Sequence, residues 1–126
     1  MPSLSEILNS KAESKQQRTE SRRAEREQLS QMRDGALMAI TTNPDLYARF
    51  LVLQADNIGL STGNIALSLS QMADPTKIGT TDFWHKQGRY VMDEEMSKGA
   101  TVFVPPRNAN FRGYLMGSYY DVSQTT

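Results

Sequence analysis

The hydrophobic pattern of this chain changes period near Gly88, and that change limits the folds it can adopt. Before Gly88, apolar residues recur at steps of three and four, which is the spacing of one face of an α-helix. After Gly88, short runs rich in Val, Phe and Tyr favour β-strands. Helices that precede strands in this way pack on one face of a sheet. The sequence therefore predicts an α+β fold, with N-terminal helices packed on a small antiparallel β-sheet formed by the C-terminal half.

The first predicted helix covers about residues 20 to 41, and a charged arm precedes it. Residues 11–26 contain only Ala as an apolar residue, and charges of both signs alternate at helical spacing. Such a segment is a solvated arm or helix, either flexible or ordered by a partner. The sequence therefore divides into a charged arm at residues 1–19, either flexible or helical, and one folded domain at residues 20–126.

Two shorter helices are predicted next. One begins at Asn43-Pro44-Asp45, where Asn can cap the helix, Pro needs no N–H partner and Asp favours the positive end of the helix dipole. The next extends over about residues 63 to 72 after a Ser61 or Thr62 cap, and its many apolar residues predict the most buried helix. A short helical segment ending near Gly88 then holds the only Trp and the only His.

Three β-prone runs follow, at residues 90–92, 100–104 and 111–120. Because side chains alternate between the two faces of a strand, the last run has two different faces. One face carries Phe111, Leu115 and Tyr119, and the other carries Arg112, Tyr114 and Tyr120.

Composition excludes several kinds of site. The 14 basic residues balance the 14 acidic residues, so a nucleic-acid partner has to be argued from local charge. The absence of Cys excludes disulfides and thiolate metal sites. The single His85 has no Glu beside it, so no zinc-binding His-Glu-x-x-His motif and no cofactor site is expected. No signal peptide and no apolar run of about 20 residues is present, which predicts a cytoplasmic protein without membrane contact.

The segment from Lys77 to Arg112 contains six basic and four acidic residues, which is a modest local excess of positive charge. Proteins bind single strands through a basic groove that contacts phosphates and through aromatic faces that stack on bases. Trp84 is alternatively a buried anchor of the core. The strand face that carries Tyr114 alternatively packs beneath the helices and is then not available to bases. The candidate nucleic-acid contacts are Trp84, Lys86, Arg89, Lys98, Arg107, Arg112, Tyr114 and Tyr120.

Other polar residues favour structural roles. Asn64 is interpreted as a hydrogen-bonding residue at the start of a helix, and Ser123, Gln124 and Thr125 as groups that bind the backbone of a neighbouring loop.

An ordered series of residues between Ser61 and Thr125 resembles the N-terminal domain of the ArdC family of antirestriction proteins. The same domain is found in LtrC-like proteins and in plasmid primases of the TraC type. The matching positions are Ser61, Asn64, residues 65–69, Gln71, Pro75, Gly79, Trp84, Gly88-Arg89, Val91, Gly99, residues 102–105 and Asp121-Val122-Ser123-Gln124-Thr125. The turn that tends to be rich in Lys in the family is acidic here, at residues 93–95.

The resemblance implies a non-catalytic, single-stranded DNA-binding domain of a mobile-element protein, carried by a plasmid or a conjugative transposon. In such proteins a zinc metallopeptidase or primase domain follows, so this chain is expected to be a fragment of a longer protein. The alternative is a protein-interaction module that positions the downstream domain or binds a host or restriction-system protein.

Overall fold

The computed structural model of the protein describes residues 3–106 and 114–126. The elements are, in chain order, α1 (Leu4–Thr42), α2 (Pro44–Asp56), α3 (Thr62–Gln71), β1 (Ile78–Gly79), α4 (Thr81–Lys86), β2 (Ala100–Val104) and β3 (Leu115–Asp121). Two short 3₁₀ helices cover Asp93–Lys98 and Val122–Gln124. Helices therefore precede a small antiparallel sheet, and the predicted α+β fold is confirmed.

Helix α1 begins much earlier than about residue 20, where the first helix was predicted to start. The Ser3 hydroxyl accepts a hydrogen bond from the Glu6 N–H, and the Glu6 carboxylate accepts one from the Ser3 N–H, which forms a capping box. Lys, Arg, Gln and Glu are good helix formers, so the charged segment continues the same helix. Residues 3–25 are exposed apart from the half-buried Ser14. The predicted arm is thus a solvated extension of α1.

Helices α2 and α3 begin at the predicted caps. The Asn43 side chain accepts hydrogen bonds from the N–H groups of Asp45 and Leu46, and the Ser61 hydroxyl accepts one from the Asn64 N–H. Residues 64–69 of α3 are all buried, as predicted for the most buried helix.

The sheet has the strand order β1-β3-β2, with both pairs antiparallel. The strand β1 was not predicted, because a run of two residues is too short to show alternation. The prediction of a strand at residues 90–92 was wrong, since only Val91 forms a β-bridge there, opposite Thr125. The predicted acidic connection after it folds into the 3₁₀ helix at Asp93–Lys98.

Two amide side chains of α3 cover the outer edge of β2. The Asn64 amide accepts a hydrogen bond from the Phe103 N–H at 3.0 Å and donates one to the Phe103 carbonyl at 2.7 Å. The Gln71 amide pairs in the same way with Thr101, at 2.8 Å and 2.9 Å. Each amide thus takes the place of a neighbouring strand, which satisfies an edge that would otherwise expose unpaired backbone groups.

Two apolar clusters lie on different parts of the sheet. The larger one joins α1, α2 and α3 to the sheet residues Ile78, Val102 and Tyr119. The smaller one contains Trp84, Val91 and Tyr120. Adjacent residues of β3 therefore belong to different clusters, as expected for side chains that alternate along a strand.

The C-terminal residues 121–125 join several loops. The Asp121 carboxylate accepts a hydrogen bond from the Thr76 N–H at 2.7 Å and one from the Ser123 hydroxyl at 2.6 Å. The Gln124 amide donates to the Lys98 carbonyl. Burial raises the pKa of the Asp121 carboxyl, but the hydrogen bonds from Ser123 and Thr76 lower it more, so its pKa lies below the usual 3.8. The structural interpretation of these residues is confirmed.

Candidate nucleic-acid interface

Trp84 lies in the smaller cluster and is only 3 % exposed. Its indole N–H donates a hydrogen bond to the Tyr120 carbonyl at 2.9 Å, and its ring packs edge to face on Phe83. A base cannot stack on a ring that is covered in this way. The prediction of Trp84 as a DNA contact was therefore wrong, and the alternative of a core anchor is correct.

Tyr120 is 4 % exposed, and its hydroxyl donates a hydrogen bond to the Met96 carbonyl at 2.6 Å. The sequence placed Tyr120 on a face that could stack bases. The structure covers that face with Trp84 and with the 3₁₀ helix that contains Met96. Tyr120 is thus another incorrect prediction, because both faces of β3 are covered at this point. Tyr114, by contrast, is 62 % exposed.

The predicted cations divide into different environments. Lys86 and Lys98 are exposed, but Lys98 lies 3.9 Å from the Glu95 carboxylate. Arg89 is half-buried, and its Nε–H donates a hydrogen bond to the Thr125 hydroxyl at 2.7 Å. Arg107 and Arg112 lie outside the described residues. Neither Lys86 nor Arg89 nor Lys98 lines the groove that α1, α3 and the ends of β2 and β3 form.

A groove of about 810 Å³ lies where α1 passes the N-terminal end of α3 and the adjoining ends of β2 and β3. Both helices and both strands contribute side chains to it. Among the described residues, its lining comprises Arg26, Ser30, Arg33, Leu37, Gly59, Leu60, Ser61, Gly63, Asn64, Phe103, Pro105, Tyr114 and Tyr119. This set contains two arginines and three aromatic rings, and it contains no carboxylate.

Arg33 lines this groove and lies against three neighbours. Its guanidinium carbon lies 5.4 Å from the centre of the Phe103 ring, a distance typical of a cation–π contact. Its aliphatic stem passes over Gly63, where an added Cβ would lie 2.7 Å from Arg33 Cδ. Its Nε lies 3.2 Å from the carboxylate of the adjacent Asp34, which is largely exposed. Among the described residues, only Nε of this guanidinium has a hydrogen-bond partner, so its terminal N–H groups are available to bind an anion.

The floor of the groove is neutral. Tyr119 is buried, and its hydroxyl accepts a hydrogen bond from the Asn64 amide at 3.1 Å. Burial raises the pKa of the Tyr119 hydroxyl above 10, although the hydrogen bond from Asn64 acts in the opposite direction. The phenol therefore stays uncharged at neutral pH, and the positive charge of the groove comes from its arginines.

Sequence reasoning missed Arg33 and Phe103 and assigned Arg26 to a solvated helix face. One available signal was the spacing of residues 26, 30, 33 and 37, which places them on a single face of a helix. The contact between Arg33 and Phe103 had no such signal, because it joins residues that are far apart in the chain.

The described part of the chain was also searched for a metal-binding group and for a membrane-spanning helix. Residues 3–106 and 114–126 contain no group of three His, Asp or Glu side chains placed to hold a metal ion. No helix within those ranges combines the length and the apolarity needed to cross a membrane.

Comparisons with profiles of known protein families, with curated proteins and with solved structures found no match. The resemblance to the ArdC family stays a prediction from the residues.

Proposed function

We propose that this domain binds single-stranded DNA, with little preference for base sequence, and that it does so without catalysing a reaction. The observation that carries the proposal is the groove in which Arg33, Phe103 and Tyr114 lie together with no carboxylate among its described lining residues. The resemblance of residues 61–125 to the ArdC domain supports the same function.

The groove offers both of the contacts that single strands need. An arginine fork binds phosphate oxygens, and the exposed Tyr114 ring offers a face for a base. Stacking of a base on an aromatic ring contributes about 1 to 3 kcal/mol and tolerates every base, because every base has a π-face. Binding by these contacts depends on phosphate and ring positions rather than on base identity.

Fluorescence anisotropy with a labelled oligothymidine tests the role of Arg33. We expect Arg33→Gln to weaken binding and to reduce the slope of log K against log salt by about 0.7, the value for one lost phosphate contact on a single strand. Arg23→Gln is the matched control, because Arg23 lies on the same helix, is exposed and does not line the groove. Thermal unfolding of each variant checks that the fold is retained.

Two outcomes would contradict the proposal. Wild-type protein that shows no binding at low salt, or binding that does not change with salt, would exclude an interaction with phosphates. Equal losses in Arg33→Gln and Arg23→Gln would mean that the groove is not the site.

A tyrosine pair tests stacking separately from charge. Tyr114 and Tyr90 are both 62 % exposed, but only Tyr114 lines the groove. We expect Tyr114→Leu to weaken binding by about 1 to 3 kcal/mol, since leucine has no π-face for a base. Tyr90→Leu should leave the affinity unchanged, and equal effects of the two changes would argue against base stacking at the groove.

The broader assignment is to an antirestriction-type protein of a plasmid or conjugative transposon, and it follows from the resemblance. This assignment is tested by the frequency with which an unmodified plasmid is transferred into a host that has a restriction system. Expression of the complete gene should raise the transfer frequency, and Arg33→Gln should remove the gain. No gain from the wild-type gene would contradict this assignment without affecting the DNA-binding proposal.

A protein-interaction module is the second candidate, and one observation favours it. Leu4, Ile7 and Leu8 form an exposed apolar group on the first turns of α1, at 73 %, 39 % and 57 % exposure. Such a group suits contact with another protein or with another domain of a longer chain. A pull-down that retains a protein on the wild type and loses it on a Leu4→Ser, Leu8→Ser variant, while DNA binding is absent, would favour this candidate.

A further inference from the structure

One line of residues extends along almost the whole of α1 at steps of three and four. Towards the C-terminal end of the helix, this line contains Leu29, Ala36 and Ile40, which pack into the larger cluster. From Arg26 back to Lys11 the same line contains basic residues instead, and on the first two turns it carries the exposed Leu4 and Leu8. Its cations are Lys11, Lys15, Arg18, Arg22, Arg26 and Arg33. At 100° per residue, these six positions cover only about 80° of the helix circumference.

The acidic residues of α1 are concentrated on the opposite side. They recur every seven residues, and at 100° per residue they also cover about 80°, centred about 160° from the basic line. These residues are Glu6, Glu13, Glu20, Glu27 and Asp34. Glu25 alone lies beside the basic line, and Arg23 alone lies beside the acidic side. Charges that look balanced in the sequence are therefore separated on the helix surface.

The basic line faces the same side as the body of the domain. Positions on one line of a helix share one direction, and this line becomes the buried face of α1 at Leu29. The N-terminal half of α1 extends beyond the domain, and its basic side points in the same direction as the buried face of the helix. Within residues 3–106 and 114–126, no ion pair involves Lys11, Lys15, Arg18 or Arg22.

The basic line also leads directly into the groove, because Arg26 and Arg33 belong to both. At 1.5 Å per residue, the line from Lys11 to Arg33 is about 33 Å long. A polyanion held in the groove could therefore follow the line away from the domain without crossing the acidic side.

We propose that a single DNA strand bound in the groove continues along the basic line of α1, and that Lys11, Lys15, Arg18 and Arg22 contact its phosphates. This inference rests on the proposed function of the groove. It assigns a role to the charged N-terminal half of α1, whose exposed side chains add nothing to the core. It also makes the bound length of the strand larger than the groove alone would allow.

The charges favour a nucleic-acid strand over another copy of the chain. A second copy could set its acidic side against the basic line, but exposed ion pairs contribute little to association. The line also has no apolar residue from Lys11 to Arg26 that would form a seam between two helices. A strand of phosphates releases counterions at every contact, and that release drives binding.

Moving two charges around the helix tests the proposal without changing composition. The variant combines Lys15→Gln with Gln16→Lys and Gln17→Arg with Arg18→Gln. These four changes keep net charge and helix-forming residues but take both cations off the basic line. Circular dichroism checks the helix. Binding is measured with oligothymidines of about 5 and about 16 nucleotides, near the two ends of known single-strand site sizes.

We expect the variant to bind the short oligonucleotide as the wild type does, and to bind the long one more weakly. Its salt slope on the long oligonucleotide should fall by about 1.4, which is the loss of two phosphate contacts. A variant that binds both lengths as the wild type does would overturn the inference and leave the groove proposal intact. A wild type that binds neither length would overturn both. A change in sedimentation without a change in DNA binding would assign the line to a second copy of the chain and overturn the inference.

Discussion

The amide pairing between α3 and the edge of β2 leads to a quantitative prediction about stability. Asn64 and Gln71 make the same two hydrogen bonds to the backbone, one with Phe103 and the other with Thr101. They differ in burial, because Asn64 is buried and Gln71 is exposed. Alanine at either position removes the same chemical group from different surroundings.

Asn64→Ala should lower the free energy of unfolding much more than Gln71→Ala does. It leaves the N–H and carbonyl groups of Phe103 without partners, and the Tyr119 hydroxyl loses the Asn64 donor as well. Each polar group left unpaired in a buried place costs about 1 to 3 kcal/mol. The two Phe103 backbone groups are partly buried, so together they cost up to about 6 kcal/mol. That is a large fraction of the roughly 5 to 15 kcal/mol that stabilises a domain.

Gln71→Ala should cost about 1 kcal/mol, because water can reach the Thr101 groups that lose their partner. Urea unfolding measures both changes, with the fluorescence of the buried Trp84 as the signal. The m-values should stay equal to that of the wild type. Equal losses of stability in the two variants would refute the reasoning, since burial would then have no influence on the cost of the missing amide.

Three further predictions concern the core, the acid response and the groove. Trp84→Phe removes the hydrogen bond to the Tyr120 carbonyl and should destabilise the fold by about 1 kcal/mol or more. Because the variant lacks the only Trp, its urea unfolding is followed by circular dichroism. The folded variant should bind DNA as the wild type does, and a specific loss of DNA binding would return Trp84 to the interface. The pKa of Asp121 is lower in the folded state than in the unfolded state. The ionised carboxylate therefore stabilises the fold fully at pH values above the usual pKa of 3.8. This contribution is lost as the pH falls through the lower pKa of the folded state. Asp121→Asn should therefore show less acid-dependent loss of stability below about pH 4 than the wild type, and equal losses would contradict the direction of that shift. Gly63→Ala places a Cβ against the Arg33 stem and should weaken DNA binding without removing any charge; unchanged affinity would mean that the position of Arg33 over the groove is unimportant.

Local chemistry explains the predictions that were correct. The caps at Asn43 and Ser61 act on N–H groups two or three residues away, so their effect can be predicted from a few neighbouring residues. The burial of α3 follows from its near-continuous apolar surface. The extended strand at Ala100–Val104 follows from its β-branched and aromatic residues.

The start of α1 shows a limit of the same reasoning. A segment of charged residues is compatible with a flexible arm and with a solvated helix, and no apolar spacing distinguishes the two. The capping box formed by Ser3 and Glu6 is a local start signal, and α1 begins directly after Ser3.

The exposure of the strand residues and of Trp84 could not be predicted, because it depends on which surfaces meet. Alternation along β3 placed Tyr119 and Tyr120 on opposite faces, but it could not indicate that both faces are covered. The same limit explains why Trp84 was placed among the candidate DNA contacts and Arg33 was not.

The sequence alone therefore determined the fold class and the helix caps at Asn43 and Ser61, since these depend on local patterns of neighbouring residues. The separation of charge along α1 became visible only when the structure showed that the charged segment is helical. Only the tertiary structure decided that Trp84 and Tyr120 are core residues and that the groove joins Arg33 to Phe103. These facts depend on contacts between segments that are distant in the chain. Such contacts form when apolar surface is removed from water across the whole domain, and a local pattern does not specify which segments meet.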